Sequence, residues 1–253
     1  MKTEKFITTA IIISLCLLGA ESLKGQQTKE IKKMAYKAYI NNSLDMWVSV
    51  ESKARKKYEA NPENFQLLLK LTEVQYGLLK ACIANKNKKT YDMYKEKASK
   101  NVETMLDYNE KWAAAHALKA GLLGVEMAFN QLKGMTLGPK SEKHIKKAIQ
   151  YDKREPLAWI EKGNSKLHTP KMFGGNSRKA IESYKMAIKL FEQDSSLRRH
   201  NWKYIDTLAW LGRAYTKDEA YKKALSVYKK ALEIEPDFNW VKYHLIKKVK
   251  QKI

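Results

Sequence analysis

The apolar positions of this chain recur every three or four residues, with lysine-rich polar positions between them. Near the C-terminus Val241, Leu245 and Val249 form one stripe, while Lys242, Lys247, Lys248 and Lys250 fall on the other side. That spacing is the mark of an amphipathic helix. The same period runs through almost the whole chain and predicts helices at 28–41 and 44–60, 63–84 and 90–108, 110–131 and 140–151, 156–168 and 177–193, and 198–216 and 218–234, with a last helix over 237–250. A terminal helix that is apolar on one side and charged on the other is what an open array needs to close its core. Breakers are sparse, with 11 Gly and 5 Pro in 253 residues, and a sheet protein of this size needs more turn residues. The expected fold is all-α, an α-solenoid of about five antiparallel helix pairs plus a C-terminal capping helix.

The clearest internal unit is Leu208 to Tyr215 followed by Lys222 to Pro236. Leu211, Gly212, Tyr215, Ala224, Tyr228, Ala231 and Pro236 stand at fixed offsets. On these residues the segment resembles the tetratricopeptide repeat family, whose Leu-Gly, Tyr, Ala, aromatic, Ala and Pro positions they occupy. The physics of the pattern is close helix crossing: Gly212 and Ala224 let the two helices of a hairpin approach, and Pro236 stands where one helix stops and the next begins. The unit before it is stretched. Pro156, Trp159 and Gly163 open it and Ala180, Tyr184 and Ala187 continue it, with five extra residues in the connection 168–177. Gly121 and Ala148 hold the corresponding small positions further back, with eight residues added around 131–139, and Gly138-Pro139 is expected to start the next helix. The best repeats are 156–190 and 205–238, within one repeat domain spanning 27–253. The loop with Phe173-Gly174-Gly175, followed by Ser177-Arg-Lys-Ala-Ile-Glu-Ser-Tyr184, is also similar to exported bacterial repeat proteins, including TatT-type companions of tripartite periplasmic transporters. Asn176 stands where such loops often carry Asp.

The first residues read differently. Lys2 and Lys5 precede an apolar run over 6–18, and Ala20-Glu21-Ser22 follows. A basic start, a short apolar stretch and a small-residue exit predict a cleaved signal peptide at 1–22, with cleavage as late as 26, and no transmembrane span afterwards. Localisation is then the periplasm or cell envelope of a Gram-negative bacterium. Cys82 alone would remain, in an apolar helical setting that suits a buried inert thiol. The formal net charge is +22, which invites anionic envelope components such as lipopolysaccharide or phospholipid headgroups. Arg accounts for only 6 of the 49 basic residues, and the lysines are spread along the whole chain. That distribution suits a solvated coat and does not suggest specific nucleic-acid binding.

Chemistry-bearing motifs are missing. Gly134 to Ser141 brushes against a phosphate-binding loop but fails on glycine spacing and lacks a preceding strand. The five histidines make no helical metal pair, no second cysteine lies near one, and no Gly-x-Ser-x-Gly elbow occurs. The reading is a non-enzymatic module without metal or cofactor, binding a protein or peptide partner, with a small-ligand-binding partner of a transport system as the alternative. The family resemblance implies which residues line the concave face: Asp206 and Arg213 in the last unit, Asn164 and His168 in the one before, and Tyr39, Glu73 and Tyr76 nearer the N-terminus, together with Lys32 and Gln66. The first-repeat positions used by chaperone-binding members hold Ala35 and Tyr39, so that activity is not implied. Phe173 in the inserted loop is expected either to plug the neighbouring helix pair or to contact a ligand. Trp202 is expected at the surface or as a gap-filler.

Overall fold

The computed structural model describes residues 29–253, so the leader expected at 1–22, and a cleavage point as late as 26, lie outside the described residues. The helices are α1 (29–40), α2 (Leu44–Glu59), α3 (Phe65–Ala84), α4 (Lys88–Tyr108), α5 (Ala113–Phe129), α6 (Gly134–Tyr151), α7 (Pro156–His168), α8 (Ser177–Gln193), the single turn α9 (Ser195–Arg198), α10 (Trp202–Lys217), α11 (Tyr221–Ile234) and α12 (Ile246–Lys250), which continues a π-helical turn at Trp240–Leu245. No β-strand occurs among the described residues, and none of their helices is long and apolar enough to cross a membrane.

Local chemistry sets the boundaries. Ser43, Asn64, Asn87, Asn176 and Asn201 each accept a backbone N–H of the first turn that follows them, and Glu155 does so ahead of Pro156. These side chains satisfy donors that a helix start leaves bare. Tight turns with positive φ at Asn42, Lys86 and Glu219 reverse the chain between partners. Consecutive helices pair as hairpins, α5 on α6, α7 on α8 and α10 on α11, while α3 packs on α5, α5 on α7 and α8 on α10. The pairs cross closely where the repeat pattern places small residues. A Cβ on Gly163 would lie 2.5 Å from the Tyr184 ring, so a methyl group there would push the crossing apart. Ala148, Ala180, Ala187, Ala224 and Ala231 are fully buried in the same seams.

Three boundaries depart from the sequence reading. α6 begins at Gly134 and carries Pro139 inside it, where a helix start at 138–139 was expected. A 3-10 turn at Gln131–Lys133 feeds straight into this helix, and the carbonyl that Pro139 leaves without a donor belongs to Met135, on an exposed first turn where water can serve it. α10 begins at Trp202, four residues after the expected position, because His200 takes a left-handed conformation and Asn201 caps. The terminal helix is partly π-helical, which its apolar stripe did not signal. Even so Val241 and Val249 are buried and Leu245 packs against the core beside Phe238, so the stripe does cover the last pair.

Candidate functional site

The first helices of the hairpins, α1, α3, α5, α7 and α10, turn one side each toward a common inner face, and polar side chains meet there from positions far apart in sequence. The Tyr39 hydroxyl donates to Asp206 Oδ1 at 2.7 Å. The Lys80 ammonium pairs with Asp206 Oδ2. On the neighbouring helices Tyr76 donates to Glu161 Oε1 at 2.6 Å and the Asn164 amide donates to Glu161 Oε2 at 3.1 Å, while Tyr184 donates to Asn164 Oδ1 at 2.7 Å. Gly121 of α5 makes room for this cluster, since a Cβ there would sit 2.8 Å from the Tyr76 ring and 3.2 Å from the Glu161 carboxyl carbon.

Alongside it, Glu73 is held between Lys70, at 2.8 Å, and Lys203 of α10. Trp202 closes this end. Its ring lies 5.6 Å from Trp47, 5.8 Å from Tyr39 and 6.0 Å from Tyr76, with the Lys80 ammonium 5.5 Å from its centroid. At 5% exposure Trp202 is an internal wedge and not a surface group. The terminal cap joins in, because Phe238 packs 5.5 Å from Tyr39. The first and last hairpins therefore touch, and the N-terminal part of the inner face is filled by the chain itself.

The electrostatics follow from this enclosure. Burial, reinforced by the neighbouring carboxylates, pushes the Tyr39 and Tyr76 hydroxyls well above the usual phenol range. Burial also raises Glu161. Burial acts to raise Glu73 as well, but Lys203 and Lys70 overcome it and hold that carboxyl at about 2. Lys32, half-enclosed and facing Lys70 and Lys203, falls to about 8 through desolvation first and those charges second.

The other end of the inner face is different. The Arg213 guanidinium lies 4.0 Å from the Trp210 ring centroid and 5.9 Å from that of Trp240. His168, at the end of α7, meets Trp210 edge-on at 4.9 Å and is exposed. Desolvation by the groove wall, then Arg213, Lys217 and Lys80, lower the His168 imidazole to about 4.

The sequence-predicted residues thus divide. Tyr39, Tyr76, Asn164 and Asp206 fall in the enclosed network, and Glu73 in the ion cluster beside it. Arg213 and His168 sit together at the open end. Gln66 lies away from both, on an outer cleft of about 720 Å³ lined by Phe65, Tyr108, Trp112 and the helix-capping Asn64 and Asn109. Phe173 does not plug a helix pair: it is 66% exposed. Its loop is nonetheless fixed, by Gly175 N–H to the Pro170 carbonyl and Asn176 N–H to the Lys166 carbonyl, with Gly174 at φ 89°. These bonds use up the inserted residues in holding the loop's own shape, which leaves the Phe173 ring outside. Lys80 and Glu161 were missed, although each stands one turn from a predicted residue, Lys80 after Tyr76 and Glu161 before Asn164.

Other candidates for chemistry do not assemble. Among the described residues no group of three or more metal-ligating side chains gathers. His116 and His144 do meet, with Nδ1 atoms 2.8 Å apart and His116 Nε2 bonded to the Glu110 carbonyl at 2.8 Å, a long-range pair that spacing alone does not reveal. Cys82 is fully buried, and burial raises its thiol to about 11.

Comparison with known proteins bears on the last hairpin first. Residues 205–238 match the family model of the tetratricopeptide repeat. The chain as a whole has a tetratricopeptide-like solenoid fold. It is similar in structure to a thermophilic TPR protein from Thermus thermophilus, with a TM-score of 0.56 and 16% identity over 89% of this chain and 98% of that one. The MamA protein is a more distant structural match, with a TM-score of 0.39 and 18% identity over 87% of this chain and 97% of that one. No curated protein matches by sequence. The matched repeat contains Asp206 and Arg213, so the tetratricopeptide-like unit supplies one residue to each end of the inner face.

Proposed function

We propose that this chain is an exported interaction scaffold of the bacterial cell envelope, non-enzymatic, whose inner face takes a segment of a protein partner. The observation that carries the reading is the tetratricopeptide-like solenoid itself, in which five helices present one polar and aromatic face that is filled at the N-terminal end and open at His168, Trp210, Arg213 and Trp240. Proteins of this architecture use their curved inner surface for binding. Export rests on Lys2, Lys5, the apolar run over 6–18 and Ala20-Glu21-Ser22.

The test joins both parts. Tagged protein produced in the native host is recovered from envelope and cytosolic fractions, its N-terminus is sequenced and co-purifying proteins are identified. The expected result is a start near Leu23 or Gln26 and one or more envelope proteins retained in stoichiometric amount. An intact Met1, or a chain that co-purifies with nothing from the envelope, would overturn the reading.

A further inference from the structure

Inside the solenoid nearly every charge has an answering group. Asp206 is shared by Tyr39 and Lys80, Glu73 by Lys70 and Lys203, and Glu161 by Tyr76 and Asn164. Arg213 is the exception at the open end. Among the described residues its guanidinium makes neither a hydrogen bond nor an ion pair; its contacts are the faces of Trp210 and Trp240. Asp206 attracts it electrostatically, but both Asp206 oxygens are already engaged. The groove wall desolvates Arg213 and lowers its pKa despite that attraction, so the charge is held in an unfavourable setting with no carboxylate paired to it among the described residues.

The charged groups that act on His168 are Arg213, Lys217 and Lys80. Lys217 donates to the Leu167 carbonyl at 2.6 Å and Lys80 is committed to Asp206. A guanidinium stacked on aromatic faces keeps its N–H edge free and oriented, which suits bidentate capture of a carboxylate. His168, exposed beside it, offers a second donor. The loop that leaves α7 directly after His168 carries Met172 and Phe173, 83% and 66% exposed. A free phosphate has no use for apolar neighbours, whereas a polypeptide with an acidic residue next to an apolar one has.

We infer that Arg213, lying over the Trp210 ring with Trp240 and His168 beside it, is the anchor for an acidic side chain of a partner polypeptide whose adjacent apolar residue lies toward Met172 and Phe173. This rests on the scaffold reading and gives it a place and a ligand chemistry. The ion pair forms at an Arg whose guanidinium already rests on an aromatic ring, so little ordering is lost on binding.

The probe is a short labelled peptide of alternating Glu and Leu, titrated against the full mature chain while tryptophan emission and anisotropy are followed. The isosteric Gln and Leu peptide, inorganic phosphate and phosphatidylglycerol vesicles are titrated in parallel. We expect saturable binding of the acidic peptide with a change in tryptophan emission, and a Kd about tenfold to a hundredfold weaker in Arg213→Gln at unchanged melting temperature, as a charge-assisted hydrogen-bonded contact requires. Equal binding to the wild type and Arg213→Gln, equal binding of the Gln peptide, or binding of phosphate or vesicles in place of the peptide would overturn the assignment. Should Arg213→Gln lower the melting temperature, the exposed His168→Gln replaces it, with measurable weakening expected and unchanged affinity overturning the site. Capture of an envelope partner equally by the wild type and Arg213→Gln would remove the anchor while leaving the scaffold standing; failure of all capture would remove the scaffold.

Discussion

Asp206 and Arg213 lie about two turns apart on one side of α10, yet they live under opposite conditions. Asp206 is buried, with a tyrosine hydroxyl and an ammonium supplied by α1 and α3. Arg213 lies over the Trp210 ring with Trp240 beside it, and among the described residues no carboxylate pairs with it. The difference arises because α1 and α3 reach across to the N-terminal end of α10, where Trp202 is wedged, while at its C-terminal end α7 and the cap supply ring and carbonyl contacts but, among the described residues, no ion pair for Arg213. An inner face is therefore not one surface. Where the solenoid closes on itself, equivalent positions become structural; where it stays open, they are left to meet something else.

The largest effect is expected at the terminal cap. Removing residues from Asp237 onward takes away Phe238, Val241 and Val249, all buried, each worth roughly 1.5–3 kcal/mol. A loss of about 5 kcal/mol or more is expected, a large share of a margin of about 5–15 kcal/mol, read as a collapse of the melting transition. An unchanged transition would mean that the cap does not cover the last pair. Next in size is Trp202→Ala, expected to cost about 3–5 kcal/mol as for other buried aromatics. A cost below about 1 kcal/mol in chemical denaturation, well under that range, would show that the N-terminal inner face is not sealed by this wedge. The smallest effect belongs to Phe173→Ala. Its exposure predicts a stability change within about 0.5 kcal/mol, and a larger drop would place the ring in a buried core.

The helix pairs were legible because their signal is local. Gly163 with Tyr184 and Gly212 with Tyr228 are spaced by the hairpin itself, and the apolar period fixes which side faces inward. The inward positions Tyr39, Tyr76, Asn164, Asp206 and Arg213 followed from the repeat register by the family resemblance. Which of them would be satisfied internally did not follow, since Tyr39–Asp206 and Glu73–Lys203 join residues separated by 167 and 130 positions. Their meeting depends on the curvature of the whole array, a sum of small rotations that no single repeat encodes. The choice between surface and gap-filler for Trp202 stayed open in the sequence for the same reason. The Pro139 helix and the π-helical turn escaped because each breaks a local rule at an exposed or terminal site.

The closure between α1 and α10 has a kinetic side. In an open array each unit needs only its neighbours, so folding can start anywhere and spread. Here Tyr39, Trp47 and Tyr76 wait for Trp202, which is synthesised long after the last of them. Until then the early hairpins present an aromatic seam to solvent. Contacts of such long sequence separation slow the final step of folding and couple the two ends into one transition. A chain of this kind should ripen late and all at once, its first hairpins held in waiting until the last pair arrives to cover them.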